Sequence, residues 1–206
     1  MRLDADPCLT LCVGRQGSGK TTFALRYLLN VPAAARFIFD ESGQVGKRLN
    51  LSPAGTANEC ELALASQWVC FNPHRMFEGK KQEAFQWFCH WVFKASDRGP
   101  GKKVLLVDEI WKYCTPSAIP DELAAVVQTG RVYELELLCC TQRPNRLNGS
   151  ILNEITELVC FALQDSNGLD TVADRGADRE RIARLPRGQF VSYDLDRGGE
   201  LEGRLW

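Results

Sequence analysis

Apolar residues along the chain gather into short, near-continuous runs, each ended by turn or polar residues. That is the pattern of strands buried on both faces. The runs are Cys8–Val13, Arg36–Asp40, Trp68–Phe71, Val104–Asp108, Leu135–Thr141, Glu157–Leu163 and Gln189–Tyr193. Between most of them, the spacing predicts helices. Lys20–Asn30 follows a glycine-rich turn, and Lys80–Ala95 is closed by the breaker run DRGPG. Pro120–Tyr133 opens with Pro-Asp-Glu, which suits the positive end of a helix dipole. Ser150–Thr156 predicts a short helix and Leu169–Leu185 a polar, charged one. Strands alternating with helices predict an α/β fold, a mostly parallel sheet with helices on both faces. Gly43–Ala65 is decided least, with Gly, Pro, Asn and Ser ahead of a weak helical pattern near Glu59–Ala65. No linker interrupts the pattern, so residues 1–206 read as a single domain.

Composition removes several classes of protein. At 206 residues and 45% hydrophobic, the chain can bury a core without disulfide or metal staples. No run reaches the roughly 18 uninterrupted apolar residues of a membrane span. The N-terminus, MRLDADPCLTLCVG, carries acids ahead of a short apolar run and does not read as a secretory signal. Net charge is -1, so any contact with DNA must come from a local stripe. Nine cysteines form no CxxC pair and there are only two histidines, which leaves zinc without ligand spacing. Most of the cysteines sit in strand-like runs as small hydrophobes, which points to the reducing cytosol.

Three strand ends carry candidate chemistry. The first is Gly14-Arg15-Gln16-Gly17-Ser18-Gly19-Lys20-Thr21, which matches the phosphate-binding pattern GxxxxGK[ST]. It follows an apolar strand and opens a helix, as the motif requires. Its glycines let the backbone curl so that N–H groups face phosphate oxygens, and the helix N-terminus adds its positive end. The expected nucleotide-binding set is Gly14, Gln16, Gly17, Ser18, Gly19, Lys20, Thr21 and Thr22. Lys20 reaches the β- and γ-phosphates of ATP, and the Thr21 hydroxyl takes Mg²⁺. The second end is Val104-Leu105-Leu106-Val107-Asp108-Glu109, a buried strand with two acids at its tip. Asp108 is the expected Mg²⁺ residue and Glu109 the base that polarises water. Adjacent Asp-Glu favours ATP hydrolysis over a small-molecule kinase. The third end is Leu137-Leu138-Cys139-Cys140-Thr141-Gln142-Arg143-Pro144. Gln142 there is either a γ-phosphate sensor or part of an ordinary polar turn.

This succession, GRQGSGKT, VLLVDE, a helix and a strand ending in TQRP, resembles the FtsK–HerA superfamily of P-loop ATPases. The short chain looks like the small genome-packaging ATPases of tailless, membrane-containing viruses with double-jelly-roll capsid proteins. The resemblance covers roughly Cys8 to Leu163. It implies a RecA-like sheet of the additional-strand type, with the phosphate-loop strand beside the sensor strand. It also implies ATP and Mg²⁺ as ligands and a pentameric or hexameric ring of identical subunits pumping double-stranded DNA. Capsid vertex proteins are implied as further partners, in the host cytoplasm or at the packaging vertex of the virion. Gln142 becomes the sensor. Arg131, with Arg143 and Arg146 as alternatives, becomes the arginine lent to a neighbouring subunit's γ-phosphate. The rival functions are an assembly or extrusion switch like those of filamentous phages, and a small-molecule kinase.

The remaining features have a plain reading beside a functional one. Asp40 starts a turn, or else orients water or touches Mg²⁺; the turn is preferred. Phe85, Trp87, Phe88, Trp91, Val92 and Phe93 surround much of one helix, and packing on the sheet is preferred over a subunit or capsid interface. Arg175, Arg179, Arg181, Arg184 and Arg187 recur at near-helical steps among Asp174, Asp178 and Glu180. A solvated, salt-bridged face is preferred there over a DNA-phosphate stripe or a subunit interface.

Overall fold

The computed structural model describes residues 9–206; Cys8, expected to open the first strand, lies outside the described residues. The strands are β1 (Leu9–Val13), β2 (Ala35–Phe39), β3 (Trp68–Phe71), β4 (Lys103–Val107), β5 (Leu135–Thr141), β6 (Glu157–Phe161), β7 (Gln189–Asp194) and β8 (Glu200–Arg204). They form one eight-stranded sheet in the order β3-β2-β4-β5-β1-β6-β7-β8. The first six pair in parallel, and β7 and β8 add an antiparallel hairpin at one edge. β5 is therefore inserted between β1 and β4, the additional-strand arrangement that the resemblance implies.

Alternation along the strands divides the core in two. Leu11, Val13, Phe37, Phe39, Leu105 and Val107 face one side. Cys12, Ile38, Leu106, Leu138 and Cys140 face the other. The first side is covered by α3 (Ala57–Leu64), α4 (Lys81–Ser96), α5 (Asp121–Thr129), α6 (Gly149–Asn153), α7 (Ser166–Ala173) and α8 (Arg179–Arg184), which supply Cys60, Phe88, Leu123, Ile151, Leu169 and Ile182. The second is covered by α1 (Lys20–Asn30) and α2 (Gln44–Leu49), through Phe23, Leu28 and Val45. Because both faces are covered, the central strands are buried along their whole length, which is why they read as continuous apolar runs.

The aromatic helix packs on the sheet. Phe39 meets Phe85 edge-on with ring centroids 5.2 Å apart, and Phe71 stacks on Phe88 at 5.0 Å. Phe88 stacks in turn on Trp91. The Trp91 indole donates to Glu61 Oε1 at 2.9 Å, which satisfies the polar end of a mostly buried ring.

Gly43–Ala65 contains both α2 and α3. Asp40 explains the first. Its buried carboxylate accepts the Gly46 N–H at 2.8 Å and the Ser42 hydroxyl at 3.2 Å, tying the end of β2 to the start of α2. The single helix expected over Leu169–Leu185 is instead α7 and α8. Gly176, at φ +88°, interrupts the run, and Asp178 caps the new helix by accepting the Arg181 N–H at 3.0 Å. The arginines of this region therefore do not share one helix face.

Phe88 is fully buried among Phe39, Phe71 and Trp91. Phe88→Ala is expected to lower unfolding free energy by about 3–5 kcal/mol, measured by denaturant titration. A loss under about 1 kcal/mol would contradict this account of the core.

Candidate active site

The glycine-rich segment leaves the end of β1 and is held by both flanking strands. The Gly14 N–H donates to Thr141 O at 3.3 Å, and the Arg15 N–H donates to Ala162 O at 2.7 Å. A side chain at Gly14 would lie 2.7 Å from Phe161 Cβ and 2.7 Å from Ser18 Oγ, so only glycine fits. Gly19 starts α1 with φ +125°, and a Cβ there would meet Leu205 at 2.7 Å. Lys20 is 5% exposed, and its ammonium donates to Gly14 O at 2.8 Å and Arg15 O at 3.2 Å. The Ser18 hydroxyl is buried without a hydrogen-bond partner among the described residues. An unmet buried hydroxyl and a lysine folded onto its own loop fit a site shaped for an anion.

The two acids arrive from β4, which does not touch β1. Even so, the Thr21 hydroxyl donates to Asp108 Oδ2 at 3.1 Å across the crevice. Burial pushes the Asp108 carboxyl above its usual range, and the Glu109 charge adds to this; the Thr21 hydrogen bond, the Lys20 charge and the Glu109 N–H offset only part of it. Hydroxyl and carboxylate oxygens are the ligands that Mg²⁺ takes, and this carboxylate has a charge to gain by meeting a cation. Glu109 has left-handed backbone, φ 52°, which is costly for a residue with a side chain and common at functional sites. Its Oε1 lies 3.9 Å from the Lys20 ammonium. Its Oε2 accepts the Trp111 indole N–H at 2.6 Å and the Gln142 N–H at 3.4 Å.

The structure thus brings Lys20, Thr21, Asp108, Glu109 and Gln142 to one crevice at the carboxyl ends of the parallel strands, where ligands of such sheets bind. A cavity of about 270 Å³ opens beside it, lined by Asp40, Glu41, Asp108, Glu109, Lys112 and Tyr113. Burial would raise the Glu41 carboxyl, but hydrogen bonds from Lys81 and the Tyr113 hydroxyl outweigh it and hold Glu41 below its usual range.

Arg131 is not in this crevice. It lies before β5, grouped with Leu9, Leu135 and Thr156 at the amino ends of the strands. One strand length, about 20 Å at roughly 3.3 Å per residue, separates the two ends. Its side chain is 62% exposed, 3.8 Å from Asp196. Arg143 and Arg146 stay at the carboxyl end of the strands, with guanidinium groups 4.8 and 5.6 Å from the Trp111 ring centre. The arginine series is occupied internally. Arg175 donates to Leu152 O, Arg179 pairs with Asp170, Arg181 with Glu200 and Glu202, and Arg184 with Glu180. Arg179, Arg181 and Arg184 are thus salt-bridged as expected, whereas Arg175 and Arg187 donate to backbone carbonyls and the five form no single face.

Three contacts at the site escape sequence reasoning. The Gly188 N–H donates to Ser18 O at 3.0 Å, and Arg187 Nε donates to Gly17 O at 3.0 Å. Leu205 closes against Gly19, and Trp206 against Gly188. The edge hairpin therefore braces the phosphate loop from outside. Arg48 donates to the Thr22 hydroxyl at 2.8 Å. Trp111 is the third, through its bond to Glu109. Only Arg187 carried any signal, and its place in an arginine series pointed elsewhere.

No family model matches the chain, and no curated protein matches it in sequence. Solved structures do match in shape. The chain is similar to the genome packaging NTPase B204 of Sulfolobus turreted icosahedral virus 2 in complex with AMPPCP, with a TM-score of 0.71, 21% identity, and 99% of each chain covered. It is also similar to B204, the DNA-packaging ATPase of Sulfolobus turreted icosahedral virus, with a TM-score of 0.70 and 18% identity over 97% of this chain and 98% of that one. VirB4 of Thermoanaerobacter pseudethanolicus matches at 0.71 and 10% identity, over 96% of this chain and 89% of that one. At such identities the likeness establishes the fold, that of a P-loop ATPase.

Arg187→Ala removes one support of the phosphate loop without touching the core. It is expected to weaken ATP-analogue binding about 5- to 10-fold, the worth of roughly one hydrogen bond to a carbonyl, with the melting temperature nearly unchanged. Calorimetric titration checks this, and unchanged affinity would remove the brace from nucleotide binding.

Proposed function

We propose that this chain is an ATPase that assembles into a ring of identical subunits and drives double-stranded DNA through it, filling a viral capsid. The observation that carries the reading is β5. It inserts between the phosphate-loop strand and the acid-pair strand and delivers Thr141-Gln142-Arg143-Pro144 to the crevice beside Glu109. The packaging ATPases that share this fold over nearly the whole chain support it.

In this reading residues 1–206 act as one domain. Backbone N–H groups of Gly17, Gly19 and their neighbours, with Gln16 and the Ser18 hydroxyl, cradle the phosphates of ATP. Lys20 exchanges the carbonyls of Gly14 and Arg15 for the β- and γ-phosphates. Thr21 and Asp108 hold Mg²⁺, which neutralises phosphate charge when bound. Glu109 takes the proton of the attacking water, and Gln142 registers the γ-phosphate from the adjacent strand tip. Thr22, tied to Arg48, supports the α-phosphate side. Arg131 lies at the far end of the strands from its own crevice, and the resemblance assigns it to the γ-phosphate of the next subunit. Most of the catalysis is positioning and charge neutralisation. The host cytoplasm and the packaging vertex, with its capsid proteins, are the setting this work requires.

ATP hydrolysis measured against protein concentration, with and without linear double-stranded DNA, tests the proposal. Turnover should rise with both and fall at least about 10²-fold in Glu109→Gln, the scale of losing a general base. Nucleotide binding without any response to DNA would sink the motor reading in favour of a switch, and phosphate transfer to a small molecule would favour a kinase. Arg131→Ala should keep nucleotide binding and lose the concentration-dependent turnover. Unchanged turnover would remove Arg131 from its role.

A further inference from the structure

The Trp111 indole makes the shortest hydrogen bond to the acid pair, 2.6 Å to Glu109 Oε2. The local backbone explains how a residue two positions on can reach it. Glu109 sits in the left-handed region and opens a one-turn 3₁₀ helix, Ile110–Lys112, which carries the half-buried Trp111 back over the glutamate. The same oxygen also accepts the Gln142 N–H. Oε2 is thereby occupied from two sides, and Oε1 is the oxygen left facing the phosphate loop, 3.9 Å from Lys20. Over the indole ring lie the guanidinium groups of Arg143 and Arg146, within cation–π range. Positive charge near the ring draws electron density from it, which makes the N–H a stronger donor.

We propose that Trp111 is a positioning residue for hydrolysis: its N–H fixes the Glu109 carboxylate so that the second oxygen is aimed at the water beside the γ-phosphate. This rests on the reading of Glu109 as the base. A glutamate side chain has three rotatable bonds, and the Trp111 N–H makes the shorter of the two hydrogen bonds that hold this one. Misplacement of a catalytic group by about 1 Å costs on the order of 10²-fold in rate. Trp111 acts in this proposal through Glu109, so its loss should act on turnover and leave binding alone.

Trp111→Phe keeps an aromatic ring beside Arg143 and Arg146 and removes the N–H together with the five-membered ring that carries it. Its kcat should fall about 10- to 100-fold, with KM and ATP-analogue affinity within about twofold of the parent. A kcat within twofold of the parent, while Glu109→Gln still abolishes turnover, overturns the proposal alone. Turnover indifferent to Glu109→Gln overturns the reading of Glu109 and the proposal with it. The second measurement needs neither nucleotide nor activity. In the ¹H–¹⁵N spectrum of the nucleotide-free protein, the indole peak absent from Trp111→Phe should be the one most displaced by Glu109→Gln. An unmoved peak means that the contact does not exist in solution and overturns the proposal.

Discussion

A phosphate loop works only if its backbone N–H groups point outward and stay unpaired, and the rest of this structure is arranged around that requirement. A segment with unpaired N–H groups is unstable unless something else holds it. Here it is held from three sides, and the Ser18 N–H turns back onto Arg15 O at 3.2 Å. β5 and β6 take the N–H groups of Gly14 and Arg15, and the edge hairpin reaches the carbonyls of Gly17 and Ser18 through Arg187 and Gly188. The insertion of β5 has a second effect. It separates β1 from β4 by one strand, and the gap between their tips becomes the crevice in which Thr21 meets Asp108.

Charge in the crevice is arranged for a guest. Lys20 is buried and satisfied by carbonyls that a phosphate can replace. Asp108 is held above its usual range by burial and by its neighbour Glu109, so a cation arriving there relieves a penalty. The Glu109 carboxylate is fixed by donors on one oxygen only. An anion beside Lys20 and a cation beside Asp108 would each complement the charge already fixed there. That is what preorganisation means in electrostatic terms.

Much of this was legible in the sequence, for a physical reason. Strands buried on both faces leave continuous apolar runs, and the phosphate loop needs glycine where no Cβ fits, as at Gly14 and Gly19. The convergence of Lys20, Asp108 and Gln142 followed from placing each at a strand tip. What escaped depends on contacts that no local pattern encodes. β8 reads ELEGR, a polar, exposed edge strand with no alternation to betray it. Gly203 is tolerated there because the Phe190 ring fills the space above it. The break at Gly176 is a plain turn signal that the arginine spacing outweighed. Trp111 reaches Glu109 only because Glu109 itself adopts a left-handed backbone. Arg131 was placed by resemblance, and the sheet puts it a full strand length from its own crevice.

The central claim is that this crevice converts ATP hydrolysis into movement along DNA, and displacement of a third strand measures it most directly. A triplex-forming oligonucleotide is annealed near one end of a linear duplex, and its release is followed with the assembled protein, ATP and Mg²⁺. The account predicts release that requires hydrolysable ATP, grows slower as the distance from the free end to the triplex increases, and vanishes with Glu109→Gln. ATP turnover stimulated by DNA, with the third strand left in place at every length, would contradict it.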